Sequence, residues 1–222
     1  MRTLAIGDMH GCITALRTLV DYAGIDESDR IVTLGDYVDR GPDTRGVLDW
    51  VIERFKAKQL IPLRGNHEVM MLESRRDENL MMNWLLYGGH EALLSYGKPA
   101  SLDNVPDSHW RFIEHTCRGY YETDSHIFVH GNLYPEVALS DQPDDVIFWE
   151  KFHHAQPHFS GKTMICGHTA QKSGVPHDRG FAICIDTWAY GKGWLTCLDV
   201  DSGKYWQANQ RKETRRGKLN KR

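Results

Sequence analysis

No run of apolar residues in this chain approaches the roughly 20 that a bilayer crossing requires. The opening MRTLAIGDMHG meets an acid before the core of a signal peptide could form. A cytoplasmic location with no membrane partner is therefore expected. A cysteine framework is missing too. Cys12, Cys117, Cys166, Cys184 and Cys197 are odd in number and lack CxxC spacing, which suits reduced thiols packed as small core residues better than a disulfide or zinc scaffold. There is no internal repeat and no low-complexity stretch. What the chain has is 222 residues at 41% hydrophobic and 26% charged, enough to bury one core.

The small net charge of −3 hides an asymmetry. RKETRRGKLNKR, Arg211 to Arg222, carries seven Lys/Arg against one Glu, so a +6 tail follows a −9 body. An acidic body argues against nucleic acid as the main ligand, because phosphate backbones are held by basic faces. The tail over 211–222 is expected to be solvated and disordered. The preceding 1–210 is expected to be one folded domain; oligomeric state is not legible.

TLAIG, RIVTLG and QLIPLRG are short β-like runs that each close on glycine. Between the first two, Leu16, Leu19, Val20 and Ala23 fall at helical spacing, with Gly24 as C-cap. Between the second and third, Val47, Leu48, Val51, Ile52 and Phe55 do the same behind Asp43 as N-cap. This β-α-β-α-β opening predicts a parallel sheet. Residues from about 69 to 123 read as a helical elaboration. HIFVHG, KTMICGH, FAICIDTW, WLTCLDV and KYWQAN then return to strand, with DSGK as a hairpin turn. They are expected to form a mostly antiparallel second sheet on the first, so the fold class is an α/β two-sheet sandwich flanked by helices.

The chemistry sits where strands end. The first run gives GDMHG with Asp8 and His10, the second GDYVDRG with Asp36, Asp39 and Arg40, and the third GNHE with Asn66, His67 and Glu68. Later runs add His130 in HGN and His168 in GHT. Ligands bind at the carboxyl ends of strands in open α/β sheets. One such cluster is most often a turn; five, each after an apolar run and beside glycine, have no simple packing explanation. Two Asp, one Asn and three His, with no sulfur, suit manganese, iron or zinc in a two-metal site better than calcium.

GDMHG, GDYVDRG, GNHE, HGN and GH, in this order, resemble the PPP-type phosphoprotein phosphatases of the metallophosphoesterase superfamily, especially the short bacterial and lambda-phage type. The resemblance covers about residues 3 to 200, including WLLYGGHEALLSYG and CIDTWAYGKGWLTCLDV. It implies the calcineurin-like fold and two divalent cations, manganese first, with iron or zinc as alternatives. Asp8 and His10 would hold one cation, Asn66, His130 and His168 the other, and Asp36 would bridge them. A water polarised between cations about 3.5–4 Å apart would attack phosphorus in line. His67 would protonate the leaving oxygen, with Asp39 orienting the ring and keeping it protonated, and Arg40 would grip phosphoryl oxygens alongside Asn66.

Four positions stay open. Lys151 in VIFWEKFHH stands where the family has a second phosphate-clamping arginine, and is either a weaker clamp or a solvated residue. Asn132 and Trp188 replace family glycines, and either shape the pocket or only pack locally. Glu68 either orients Arg40 or His67, or merely starts a helix. His153, His154 and His158 are read as a solvated loop. The implied activity is hydrolysis of phosphorylated protein, at serine or threonine and within reach of tyrosine, or of a small phosphoester. The alternatives are a dinucleotide polyphosphate hydrolase of the diadenosine tetraphosphatase kind and a metal-binding regulatory module.

Overall fold

The computed structural model describes residues 1–219. Strands β1 (Thr3–Ile6), β2 (Arg30–Thr33) and β3 (Leu60–Pro62) alternate with helices α1 (Ile13–Ala23) and α2 (Thr44–Lys56) and pair in parallel, as their spacing predicts. Gly24 ends α1 in the left-handed region at φ 58°. The Asp43 side chain caps α2 by accepting from the Gly46 N–H at 2.8 Å.

The helical region holds α3 (Asn66–Glu73), α4 (Glu78–Trp84), a π-helical turn at Leu85–Gly89, α5 (His90–Leu94) and α6 (Asp107–His115). It ends sooner than 123, because Tyr120–Glu122 is already a strand, β4, antiparallel to β5 (His126–Val129). With β6 (Thr163–Cys166), β7 (His177–Asp178) and β8 (Ala182–Cys184) these form a second sheet in the order β4-β5-β6-β8-β7.

The expectation of a mostly antiparallel second sheet is corrected here. β5, β6 and β8 run parallel, since the connections between them are crossovers rather than tight hairpins. The DSGK hairpin does form, between β9 (Leu195–Asp199) and β10 (Lys204–Ala208), but it joins the first sheet, where β9 pairs with the free edge of β1.

The tail is also corrected. Thr214–Lys218 is strand β11, antiparallel to β10 at the sheet edge. Its charges alternate in their surroundings. Arg215 turns inward to donate to Gln207 Oε1 at 2.6 Å and lies 4.3 Å over the Trp194 ring, while Thr214, Arg216 and Lys218 face solvent. An isolated basic run would stay solvated, but this one finds an open ladder beside it. Residues 220–222 of the expected tail lie outside the described residues.

Strand periodicity divides the core into layers. Ala5, Val32, Phe128, Ile165 and Ile183 meet between the sheets. Leu4, Ile6 and Ile31 pack outward under α1 and α2, and Ile127, Val129, Met164 and Cys184 face the other way over Phe148 and Phe152. All five cysteines are buried and unpaired. Among the described residues no helix is long and apolar enough to cross a membrane.

Candidate active site

Every sequence-predicted cluster sits just beyond the carboxyl end of a strand. Asp8 and His10 follow β1, Asp36, Asp39 and Arg40 follow β2, Asn66 and His67 open α3 after β3, His130 follows β5 and His168 follows β6. The turns are tight enough that His10, Asp36, Asp39, Arg40 and His168 all have positive φ, between 41° and 72°. Non-glycine residues adopt that region at a cost, and such strain concentrates at functional sites.

The two oxygens of Asp36 face different partners. Oδ2 lies 3.4 Å from His10 Nε2 and Oδ1 lies 3.4 Å from His130 Nε2. Each ring is turned by its other nitrogen, since His10 Nδ1 donates to the Val38 carbonyl at 2.9 Å and His130 Nδ1 to the Leu34 carbonyl at 2.8 Å. Both Nε2 atoms are therefore unprotonated acceptors, the form that binds a metal. Asn66 Oδ1 sits 2.9 Å from both His130 Nε2 and His168 Nδ1, closing the second group.

Asp8 supplies a direct test of whether cations fit. Its Oδ1 is buried with no hydrogen-bond partner, although the other oxygen accepts from the His168 N–H at 3.0 Å. A buried carboxylate oxygen with nothing to bond is costly unless a cation meets it. Gly167 leaves the space, because a Cβ there would collide with that same atom. Ligand-capable atoms of Asp8, Asp36 and His130 lie within 4.8 Å of one another, as do those of His10, Asp36 and His67. The donor set fits two hard or borderline cations that share Asp36.

His67 Nδ1 contacts Asp39 Oδ2 at 2.6 Å, which leaves Nε2 facing the cleft. Arg40 Nη1 donates to His10 Nε2 at 2.9 Å, and the guanidinium lies 4.6 Å over the Tyr190 ring. Asp36, Arg40, Asn66, His67, Lys151 and His168 line one cleft of about 290 Å³, with Tyr87 and Trp149 at its exposed rim. Lys151 therefore belongs to the cleft wall, its Nζ 2.9 Å from His168 Nε2.

Two of the open positions resolve clearly. Asn132 donates to the Lys151 carbonyl at 2.9 Å, so it fixes the backbone that carries the lysine. Glu68 touches neither Arg40 nor His67 as a partner. Its carboxylate accepts from the N–H groups of Gly65, Asp36, Tyr37 and Val38 at 2.8 to 3.2 Å, pinning the β2 and β3 loops together. Trp188 stands outside the cleft lining and packs edge-on to Tyr190 at 6.3 Å. Of the three remaining histidines, His154 is exposed and contacts Glu150 at 2.5 Å and His153 is exposed, but His158 is buried against the Val137 carbonyl, contrary to a wholly solvated loop.

A family model for calcineurin-like phosphoesterases matches residues 1–191. The chain belongs to that family. Serine/threonine-protein phosphatase 1 of Salmonella typhimurium is 36% identical over 85 residues, covering 38% of this chain and 37% of that protein. The symmetrical bis(5'-nucleosyl)-tetraphosphatase of Edwardsiella ictaluri is 41% identical over 73 residues, 32% of this chain and 25% of that protein. The matches thus span between a quarter and little more than a third of these relatives' lengths. Among solved structures, a candidate diadenosine tetraphosphatase superposes with a TM-score of 0.66 at 19% identity over 89% of this chain and 88% of its own. A Saccharomyces cerevisiae serine/threonine phosphatase similar to human PP5 does so at 0.60 and 17%, over 90% and 73%. These superpositions establish the calcineurin-like fold of two mixed sheets flanked by helices.

The electrostatics of this phosphoesterase site favour cations. Burial raises the pKa of Asp36 to about 7, of Glu68 to about 7 and of Asp186 to about 6, and pushes Asp8 and Asp39 well above the carboxylate range. Burial also lowers His130 to about 3 and His168 to about 2 and depresses His10. The imidazoles are thus neutral, as ligands must be. For His67 the outcome differs from the expectation that Asp39 keeps it protonated: burial, reinforced by His10 and Arg40, drives the ring toward its neutral form.

Asp186 escaped the sequence reading. It is buried just past β8, accepts from the Trp188 N–H at 3.0 Å, and its like negative charge adds to burial in raising Asp8. FAICID ends an apolar run in an acid as the other motifs do, which was the available signal. Tyr190, packed at 4.9 Å on His10, carried none.

Proposed function

We propose that this phosphoesterase is a metal-dependent phosphomonoester hydrolase acting on phosphorylated proteins in the cytoplasm, at phosphoserine or phosphothreonine and within reach of phosphotyrosine. The observation that carries the reading is the shared carboxylate of Asp36, facing His10 with one oxygen and His130 with the other, beside the orphaned Oδ1 of Asp8. Two divalent cations, manganese in this proposal with iron or zinc as alternatives, would be held by Asp8, His10, Asp36, Asn66, His130 and His168, and would supply positive charge for phosphoryl oxygens and acidity for a water.

The chain's own groups do the rest. Arg40 presents a planar fork to two phosphoryl oxygens, stiffened by the Tyr190 ring beneath it. Lys151 adds a point charge from the cleft wall, and the Asn66 amide offers a further donor. His67 holds its Nε2 toward the leaving oxygen while Asp39 fixes Nδ1. The arriving phosphoryl dianion raises the proton affinity of that ring, so the imidazole neutral in the free protein gains the proton it delivers.

Cleft size supports this reading over the second one. About 290 Å³ lies at the low end of small-ligand sites, which run from ~300 to 1,000 Å³, and suits a phosphoryl group with a short side chain better than two nucleosides. A dinucleotide polyphosphate hydrolase remains the second reading because the Edwardsiella ictaluri relative bears that name. The test is purified protein with manganese, given a phosphoserine peptide, a phosphotyrosine peptide and diadenosine tetraphosphate side by side. Higher kcat/KM on the peptides supports the proposal, preference for the dinucleotide overturns it, and no turnover of any supports the regulatory module.

A further inference from the structure

The helical elaboration contains NWLLYGGHE, residues 83–91, a segment the mechanism above does not use. Its side chains divide sharply. Leu86 and Tyr87 are 82% and 52% exposed, yet Trp84, two residues earlier, is fully buried. A buried indole requires an acceptor for its N–H. Trp84 finds both oxygens of Asp39, its Nε1 lying 3.0 Å from Oδ1 and 2.9 Å from Oδ2.

The backbone around it is committed to the same place. The Gly88 carbonyl accepts the Arg40 N–H at 3.1 Å. Gly88 has φ 109°, and a Cβ there would lie 2.6 Å from the Arg40 nitrogen, so only glycine allows this approach. A Cβ on Gly89 would lie 2.5 Å from the Trp84 ring, so the π-helical turn folds closely over the indole. Asp39 and Arg40, with φ of 72° and 67°, are thus braced from the elaboration side, while Thr44 Oγ1 accepts the Asp39 N–H at 3.2 Å.

We propose that Trp84 is a positioning residue for the reaction, its indole N–H locking the Asp39 carboxylate so that His67 presents Nε2 to the leaving oxygen. A carboxylate bonded only to His67 can rotate about its terminal torsion, which is broad and roughly two-fold. A donor shared between both oxygens fixes that plane, and with it the ring. The inference rests on the reading of His67 as proton donor, and it assigns to the elaboration a role in chemistry, beyond packing.

The experiment removes the N–H and keeps the shape. β-(3-Benzothienyl)alanine, incorporated at position 84 in place of tryptophan, replaces the N–H by sulfur in a ring of the same outline; Trp84→Phe is the encoded companion. Each is measured for metal content, melting temperature and kcat on a phosphoserine peptide and on nitrophenyl phosphate. In the isostere we expect kcat on the peptide to fall about tenfold, the lower end of the ~10–100-fold typical for an outer hydrogen-bond partner, with less than about twofold change on nitrophenyl phosphate. KM and metal content stay as in the parent. Equal losses on both substrates, or none, overturn the role of Trp84. His67→Asn in the same assay separates the two claims: if it shows no leaving-group selectivity the donor reading itself fails, and if it does while the isostere does not, only the inference about Trp84 fails.

Discussion

His67 Nδ1 and Asp39 Oδ2 are 2.6 Å apart in a buried pair, with the other ring nitrogen free toward the cleft. A general acid contributes ~10²–10⁴-fold, in proportion to how badly the leaving group needs a proton. A serine alkoxide needs it and a nitrophenolate does not. His67→Asn is therefore expected to slow phosphoserine hydrolysis far more than nitrophenyl phosphate hydrolysis, with Asp39→Asn showing the same selectivity in milder form. Single-turnover rates on both substrates, with metal analysis, check this. Loss of one metal in His67→Asn would make His67 a ligand, which its place beside His10 and Asp36 makes worth measuring.

Asp36 touches both halves of the proposed metal centre, whereas Asp8 touches one. Asp36→Asn is expected to lower the content of both metals and to cost more rate than the ~10–100-fold loss typical of an outer partner. Asp8→Asn should deplete one metal preferentially. Chelation should abolish turnover and added manganese restore it. Full activity in a chelated sample verified by elemental analysis would sink the two-metal reading.

The difference between what was legible and what was not follows from how each residue is specified. Asp8, Asp36, Asn66, His130 and His168 stand at the ends of apolar strands, so chain order alone announces them. Glu68 was legible as part of GNHE but its task was not, because its partners are backbone N–H groups up to 32 residues away. Likewise β11 has too few apolar residues to read as a strand; its place comes from the unpaired edge of β10 and from Arg215 finding Gln207. The direction of β5, β6 and β8 was hidden because strand composition does not encode parallel or antiparallel pairing, whereas the DSGK hairpin was visible from its turn residues.

Lys151 lies in the cleft wall, held at its carbonyl by Asn132. Removing one charge-assisted contact of an exposed group is expected to raise KM for a phosphopeptide by about tenfold, from the ~1.5 kcal/mol lower end for hydrogen bonds to charged groups. Lys151→Ala should show that rise with kcat little changed, and Lys151→Arg should retain or improve KM by restoring a fork. Asn132→Ala should produce a smaller rise, by loosening the segment. Unchanged kinetics in both lysine variants would return Lys151 to the surface.

The buried carboxylates make a prediction about the metal-free protein that needs no substrate. Burial raises Asp36 and Glu68 to about 7 in the folded chain, well above their ordinary values of 3.8 and 4.5. A raised carboxylate binds its proton more tightly in the folded state, so its contribution to stability is present at low pH and is lost as pH rises through the folded value. His10, His67, His130 and His168 oppose this, all depressed by burial and the last two to about 3 and about 2, because the unfolded rings take up protons below about 6.5. Above about pH 7 the unfolded histidines are mostly neutral and the raised carboxylates, Asp8 and Asp39 among them, dominate. Each proton held by the folded chain and not by the unfolded one then costs about 1.4 kcal/mol per pH unit. The chelated protein should accordingly show a falling melting temperature from about pH 7 to 8. Manganese should raise the curve and flatten it, since a cation beside Asp36 and Asp8 stabilises their ionised forms, and its binding releases the protons they held. Calorimetry across this range, with and without metal, decides the matter. A chelated protein whose melting temperature rises over that interval would show that the carboxylates are already ionised and satisfied without a cation.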